Sequence, residues 1–96
     1  MESTFYIQFN VKTQEGLQSY GRFDIGNDSE AAAKIFHQLK GSPDVNEHNF
    51  LSLELMETVK GLPVNLQIIS CTLDELAYNC RVISKEVFNQ ANIKLP

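Results

Sequence analysis

Cys71, Cys80, His37 and His48 are the side chains of this sequence best suited to nucleophilic or metal chemistry. A structural zinc site needs convergent ligands at recurring short intervals, and none of these four residues stands at such a spacing from another. No metal and no cofactor is expected on that basis. Cys71 holds the most chemical promise, because it directly precedes a helix start, where the positive end of the helix dipole lowers a thiol pKa and raises its reactivity. Against this, Asp74 and Glu75 already bring negative charge to the same terminus, and no Cys-x-x-Cys follows. A small residue closing a strand-to-helix junction is the favoured account of Cys71, since free cysteine commonly behaves as a buried hydrophobe. Cys80 is expected in the core. At about 1.5 Å of rise per helical residue it lies roughly 12 Å along the axis from Cys71, beyond the ~7 Å Cα limit for a disulfide. No nucleophile elbow, phosphate loop or dinucleotide glycine pattern occurs, and no catalytic residue is assigned.

The element that must carry the cysteines is the clearest in the chain. Thr72-Leu73-Asp74-Glu75 has the form of a capping box, in which the threonine hydroxyl accepts from the glutamate N–H and the glutamate side chain returns to the threonine N–H. Counting 100° per residue from Leu73, the residues Leu76, Ala77, Cys80, Ile83, Ser84, Val87, Phe88 and Ala91 fall within one half of the helix circumference. That half needs a surface to pack on.

The earlier chain supplies it. Phe5, Ile7, Phe9 and Val11 alternate with Tyr6, Gln8, Asn10 and Lys12, the period-two signature of a half-buried strand. After a polar turn at Thr13–Gly16, a second strand alternates Leu17, Ser19, Gly21, Phe23 and Ile25 with Gln18, Tyr20, Arg22 and Asp24. Gly21 on the apolar side would let a helix approach closely. Gly26–Glu30 offers N-cap candidates, with Asn27 and Glu30 correctly spaced, for a first helix whose inward stripe is Ala32, Ile35, Phe36 and Leu39. Gly41-Ser42-Pro43 ends it, and Asp44–Asn49 reads as a surface loop.

Phe50–Val59 alternates again, with Leu51, Leu53 and Leu55 on one side. A turn at Lys60–Pro63 leads to a fourth strand with Val64, Leu66 and Ile68 inward, and Ile69 breaks its alternation. The tail from Asn92 to Pro96 is expected to fray. A weak repeat at a spacing of 45 residues relates Phe5 to Phe50 and Asn27 to Thr72, and each half reads strand, turn, strand, helix. The expected fold is α+β, ββαββα: a four-stranded antiparallel sheet with two helices packed on one face, forming a single domain over 1–96 whose halves span about 4–41 and 50–91.

Composition limits the partners. A 43% hydrophobic and 21% charged makeup is that of a globular chain, and 96 residues suffice for one core. A net charge of −4, with dispersed basic residues, argues against nucleic acid or an anionic membrane as partner. No run approaches the ~18 apolar residues of a membrane helix. Met1–Thr4 is acidic and polar where a leader would be basic, so a cytoplasmic setting is expected.

Function then rests on surfaces. With the helices on one side, the other sheet face carries Tyr6, Gln8, Tyr20, Arg22 and Met56, types enriched where proteins meet. A second, smaller patch pairs Tyr78 with Val82 on the outer side of the last helix. The expectation is a noncatalytic module that binds a protein partner or its own copy through the open face or a sheet edge. The alternative is a small ligand-binding protein or enzyme, with a pocket between sheet and helices or across a dimer interface, using Cys71.

Overall fold

A computed structural model describes residues 3–44 and 50–90. In order along the chain are β1 (Thr4–Thr13), β2 (Gly16–Gly26), α1 (Ser29–His37), β3 (Leu51–Val59), β4 (Leu62–Cys71) and α2 (Leu73–Gln90). The strands form one antiparallel sheet in the order β2-β1-β3-β4, so the fold is α+β with ββαββα connectivity, as the periodicities require. The first strands of the two ββα units lie side by side at the centre, and their second strands form the two edges.

The pairing of β1 with β3 is regular, with Ile7 opposite Leu55 and Phe9 opposite Leu53. Directly opposed residues share a face, so Phe5, Ile7, Leu53, Leu55, Ile69 and Cys71 lie on one side of the sheet. All six join Ala32, Ile35 and Phe36 of α1 and Leu76 and Ile83 of α2 in one core, which places both helices on that side.

Local chemistry explains the element ends. Thr72 and Glu75 form the reciprocal capping box, with Glu75 N–H donating to Thr72 Oγ1 at 3.1 Å and Thr72 N–H donating to Glu75 Oε1 at 2.9 Å. Asp28, rather than Asn27, caps α1: its Oδ1 accepts from the N–H groups of Glu30 and Ala31 at 2.9 and 3.3 Å. The β3–β4 hairpin turns through Lys60 and Gly61, both at positive φ (52° and 80°). Two left-handed central residues match the twist of a tight hairpin.

Three bulges modify the expected alternation. Tyr20 is an extra residue between the pairs Phe9–Gly21 and Asn10–Ser19, and Ile25 is another between Tyr6–Asp24 and Phe5–Gly26. The first turns Leu17 and Ser19 away from the helices, so Leu17 is 51% exposed where an inward residue was expected. Gly21 has no helix above it, since a Cβ there would meet nothing within 4 Å. On β4, Leu66 is the extra residue between Gln67–Leu55 and Asn65–Met56. It shifts the phase, so Ile69 and Cys71 enter the core and Ile68 falls on the face away from the helices. The strand accordingly runs on to Cys71.

The stripe of α2 is also rotated. Asn79 is fully buried, whereas Ala77 is exposed and Phe88 is 36% exposed. Asn79 Oδ1 accepts from Lys40 N–H at 2.7 Å, and its Nδ2 donates to Lys40 O at 2.8 Å. One amide side chain thus ties the exit of α1 to the second turn of α2. Beyond it, Ser42 and Ser70 exchange both backbone hydrogen bonds at 2.8 Å, which brings Gly41 against the edge of β4. A Cβ on Gly41 would stand 2.5 Å from Ser70 O. Residues 45–49 of the loop expected at Asp44–Asn49, with His48, and the expected end of the second helix at Ala91 and the tail from 92 lie outside the described residues.

Candidate functional site: an edged sheet with a roofed tyrosine

The face away from the helices carries Tyr6, Gln8 and Asn10 of β1, Arg22 and Asp24 of β2, Ser52, Glu54 and Met56 of β3, and Asn65 and Ser70 of β4. Its central aromatic is not available for contact. Tyr6 is 5% exposed and Met56 8%, where both were expected to project into solvent. The cause is local: Tyr6 lies between Asp24 and Met56 on the flanking strands, and the Arg22 guanidinium covers its ring 4.3 Å from the centroid. Arg22 is held there by Asp24, with Nη2 to Oδ1 at 3.0 Å.

Beside the roofed tyrosine, a chain of polar groups crosses the sheet. Gln8 Nε2 donates to Asn10 Oδ1 at 3.0 Å, Asn10 Nδ2 donates to Glu54 Oε1, and Asn65 Nδ2 donates to Glu54 Oε2 at 2.6 Å. The Glu54 carboxylate is therefore bonded on both oxygens by neighbours in the sheet. Such a network satisfies its own members and fixes the face. At its margin Ser70 Oγ donates to Asp44 O at 2.8 Å.

Among the described residues, five of the ten exposed large apolar side chains lie on the two outer strands, and the others, Phe50, Val59, Leu73, Tyr78 and Phe88, lie before or on β3 and on α2. Those on β2 are Tyr20 (65%) and Leu17 (51%), and those on β4 are Leu62 (68%) and Leu66 (47%), with Val64 beside them. Among the expected contact residues, Tyr20 and Arg22 are thus exposed, Gln8 is half-buried, and Tyr6 and Met56 are covered. On the outer side of α2, Tyr78 is 38% exposed with the Lys40 ammonium 4.2 Å from its ring centroid, and Val82 is half-buried. The bulge that exposes Leu17 could be read from no local pattern, because its own segment alternates without a break.

The edges differ in their backbone. Lys12 N–H donates to Phe50 O, so the even residues of β1 bond to β3 and its odd residues bond to β2. Phe23 and Gly21, opposite Ile7 and Phe9, therefore bond inward, while the N–H and C=O groups of Arg22 and Asp24 point outward. On β4, the Ser42–Ser70 exchange fixes Ser70 as outward, and the register with β3 makes Ile68 and, past the Leu66 bulge, Asn65 and Pro63 outward as well. Pro63 has no N–H to offer, Ser70 is already bonded, and the Leu66 bulge interrupts the row. These are devices that blunt an edge. Among the described residues no backbone hydrogen bond from outside the sheet reaches the outward groups of Arg22 and Asp24 on β2.

Cys71 is buried at 5% exposure. Burial, assisted by Glu75 and then Cys80, pushes its thiol from 9.0 up to about 11, the opposite of nucleophile activation. Burial raises the Cys80 thiol too, and both cysteines are free. His37 is exposed in the last turn of α1. The described residues hold no group of three or more metal-ligating side chains. A depression of about 520 Å³ is lined by Thr4, Phe5, Arg22, Asp24, Gly26 and Asn27, at the end of β1 and β2 rather than between sheet and helices. No helix among the described residues is long and apolar enough to cross a membrane. No family model matches the chain, and neither a curated protein nor a solved structure matches it.

Proposed function

We propose that this chain is a noncatalytic protein-binding or self-assembly module that associates through the outer strands of its sheet. The observation that carries the reading is the placement of exposed apolar side chains, Tyr20 and Leu17 on β2 and Leu62 and Leu66 on β4, beside the two sheet edges. Strand edges offer directional hydrogen bonds to a partner, and flanking apolar side chains add contact area. The sheet face contributes less than its composition suggests, because Tyr6 and Met56 are already covered. A pocket enzyme using Cys71 is disfavoured by that thiol's burial and raised pKa.

The test combines light scattering across a concentration series with affinity capture by the tagged chain. Tyr20→Ser and the pair Leu62→Ser/Leu66→Ser serve as variants. A mass that rises with concentration, or a partner whose capture is lost in either variant, supports the reading. A strict monomer that captures nothing the variants fail to capture would overturn it.

A further inference from the structure

Resting on that reading, we infer that the partner at the β2 edge is a second copy of this chain, paired strand to strand across a two-fold axis at Phe23. The regular span of β2 between its two bulges is Gly21–Asp24, and within it Arg22 and Asp24 point their backbone groups outward. An antiparallel copy centred on Phe23 sets Arg22 opposite the second copy's Asp24, and Asp24 opposite its Arg22. Both contacts join opposite charges. The two side chains share the face away from the helices and are 55% and 73% exposed, so they are accessible to a second chain.

Charge complementarity favours a self-copy because the alternation of sign is built into one strand: a two-residue separation between a cation and an anion is self-complementary only in an antiparallel, two-fold arrangement. The arrangement forms about four inter-chain backbone hydrogen bonds, two for each Arg22–Asp24 pair. It extends the four-stranded sheet into a continuous eight-stranded one with all helices on the same side. The β4 edge does not offer this, since Pro63 removes an outward donor and the Leu66 bulge breaks the row. A short span of this kind makes a modest, reversible dimer.

Charge reversal gives the test. R22D leaves two acidic side chains on the outward positions of β2, and D24R leaves two basic ones. Each variant alone should dissociate at least about tenfold more readily than wild type by sedimentation velocity, because two attractive contacts become two repulsive ones. An equimolar mixture of R22D and D24R should recover a dimer containing one of each chain, and the double variant R22D/D24R should recover a homodimer. R22K, which keeps the charge, should dimerise as wild type does, and circular dichroism confirms that each variant is folded. Single variants that stay dimeric, or a mixture that does not associate, would overturn the β2 pairing while leaving association through another surface intact. A wild-type chain that is monomeric throughout would also overturn it, and partner capture would then decide the broader reading separately.

Discussion

Replacing Asn79 by alanine should be among the most damaging single changes in this fold. The side chain is fully buried and makes two hydrogen bonds to one residue, Lys40, at 2.7 and 2.8 Å. Each such bond contributes about 1 kcal/mol net, and a backbone donor or acceptor left without a partner adds to the loss, so Asn79→Ala should cost about 2 to 3 kcal/mol. For a domain near this size each kcal/mol lowers the melting temperature by about 4 to 8 °C, giving a fall of roughly 10 to 20 °C. Asn79→Leu separates pairing from packing. It restores most of the volume but neither hydrogen bond, and should still lose about 2 kcal/mol in urea denaturation. Native-state exchange of the Lys40 amide should accelerate in both variants. If both variants stay within about 0.5 kcal/mol of wild type, the side chain is not the tie between the helices.

Other consequences are as specific. Thr72→Ala removes one half of the capping box and should destabilise the protein by about 1 kcal/mol in urea melts, with earlier fraying of α2 by amide exchange. Gly41→Ala should cost about 1 to 3 kcal/mol, because the new Cβ would meet Ser70 O at 2.5 Å and the strand edge must move; Gly21→Ala, with open space around it, should be nearly neutral on the same assay. Cys71 should resist a thiol reagent at pH 8 in the folded protein and react on unfolding. Its raised pKa means that the folded state keeps the proton while the unfolded chain releases it. Between about pH 9 and 11 wild type should therefore lose about 2 to 3 kcal/mol relative to Cys71→Ala, with no such difference in slope below pH 8.

Much of this architecture was legible because local signals agree with one another. The Thr72–Glu75 box and the alternations of β1 and β3 each name an element, and ββαββα connectivity follows from their order. Bulges are what escaped. Tyr20 and Leu66 each add one residue to an edge strand, and because side chains alternate faces, one insertion reverses everything beyond it. Leu17 and Ile68 therefore lie on the face opposite the one expected. Asn79 escaped for another reason: a polar residue on an apolar stripe looks like an outward position until the backbone it serves, 39 residues earlier, is in place. The candidate site was half legible. Tyr20 and Arg22 are exposed, but nothing in the sequence showed that Arg22 would close over Tyr6 from a neighbouring strand.

Association at a strand edge leaves a direct trace on the backbone amides that face outward. Amide hydrogen exchange of the wild-type chain, compared between dilute and concentrated solution and again with any captured partner, reads that trace residue by residue. Slower exchange confined to outer-strand amides, with Arg22 and Asp24 foremost, is expected as concentration rises. Exchange at β2 and β4 that is the same at every concentration, and unaltered by any captured protein, would contradict association at a strand edge.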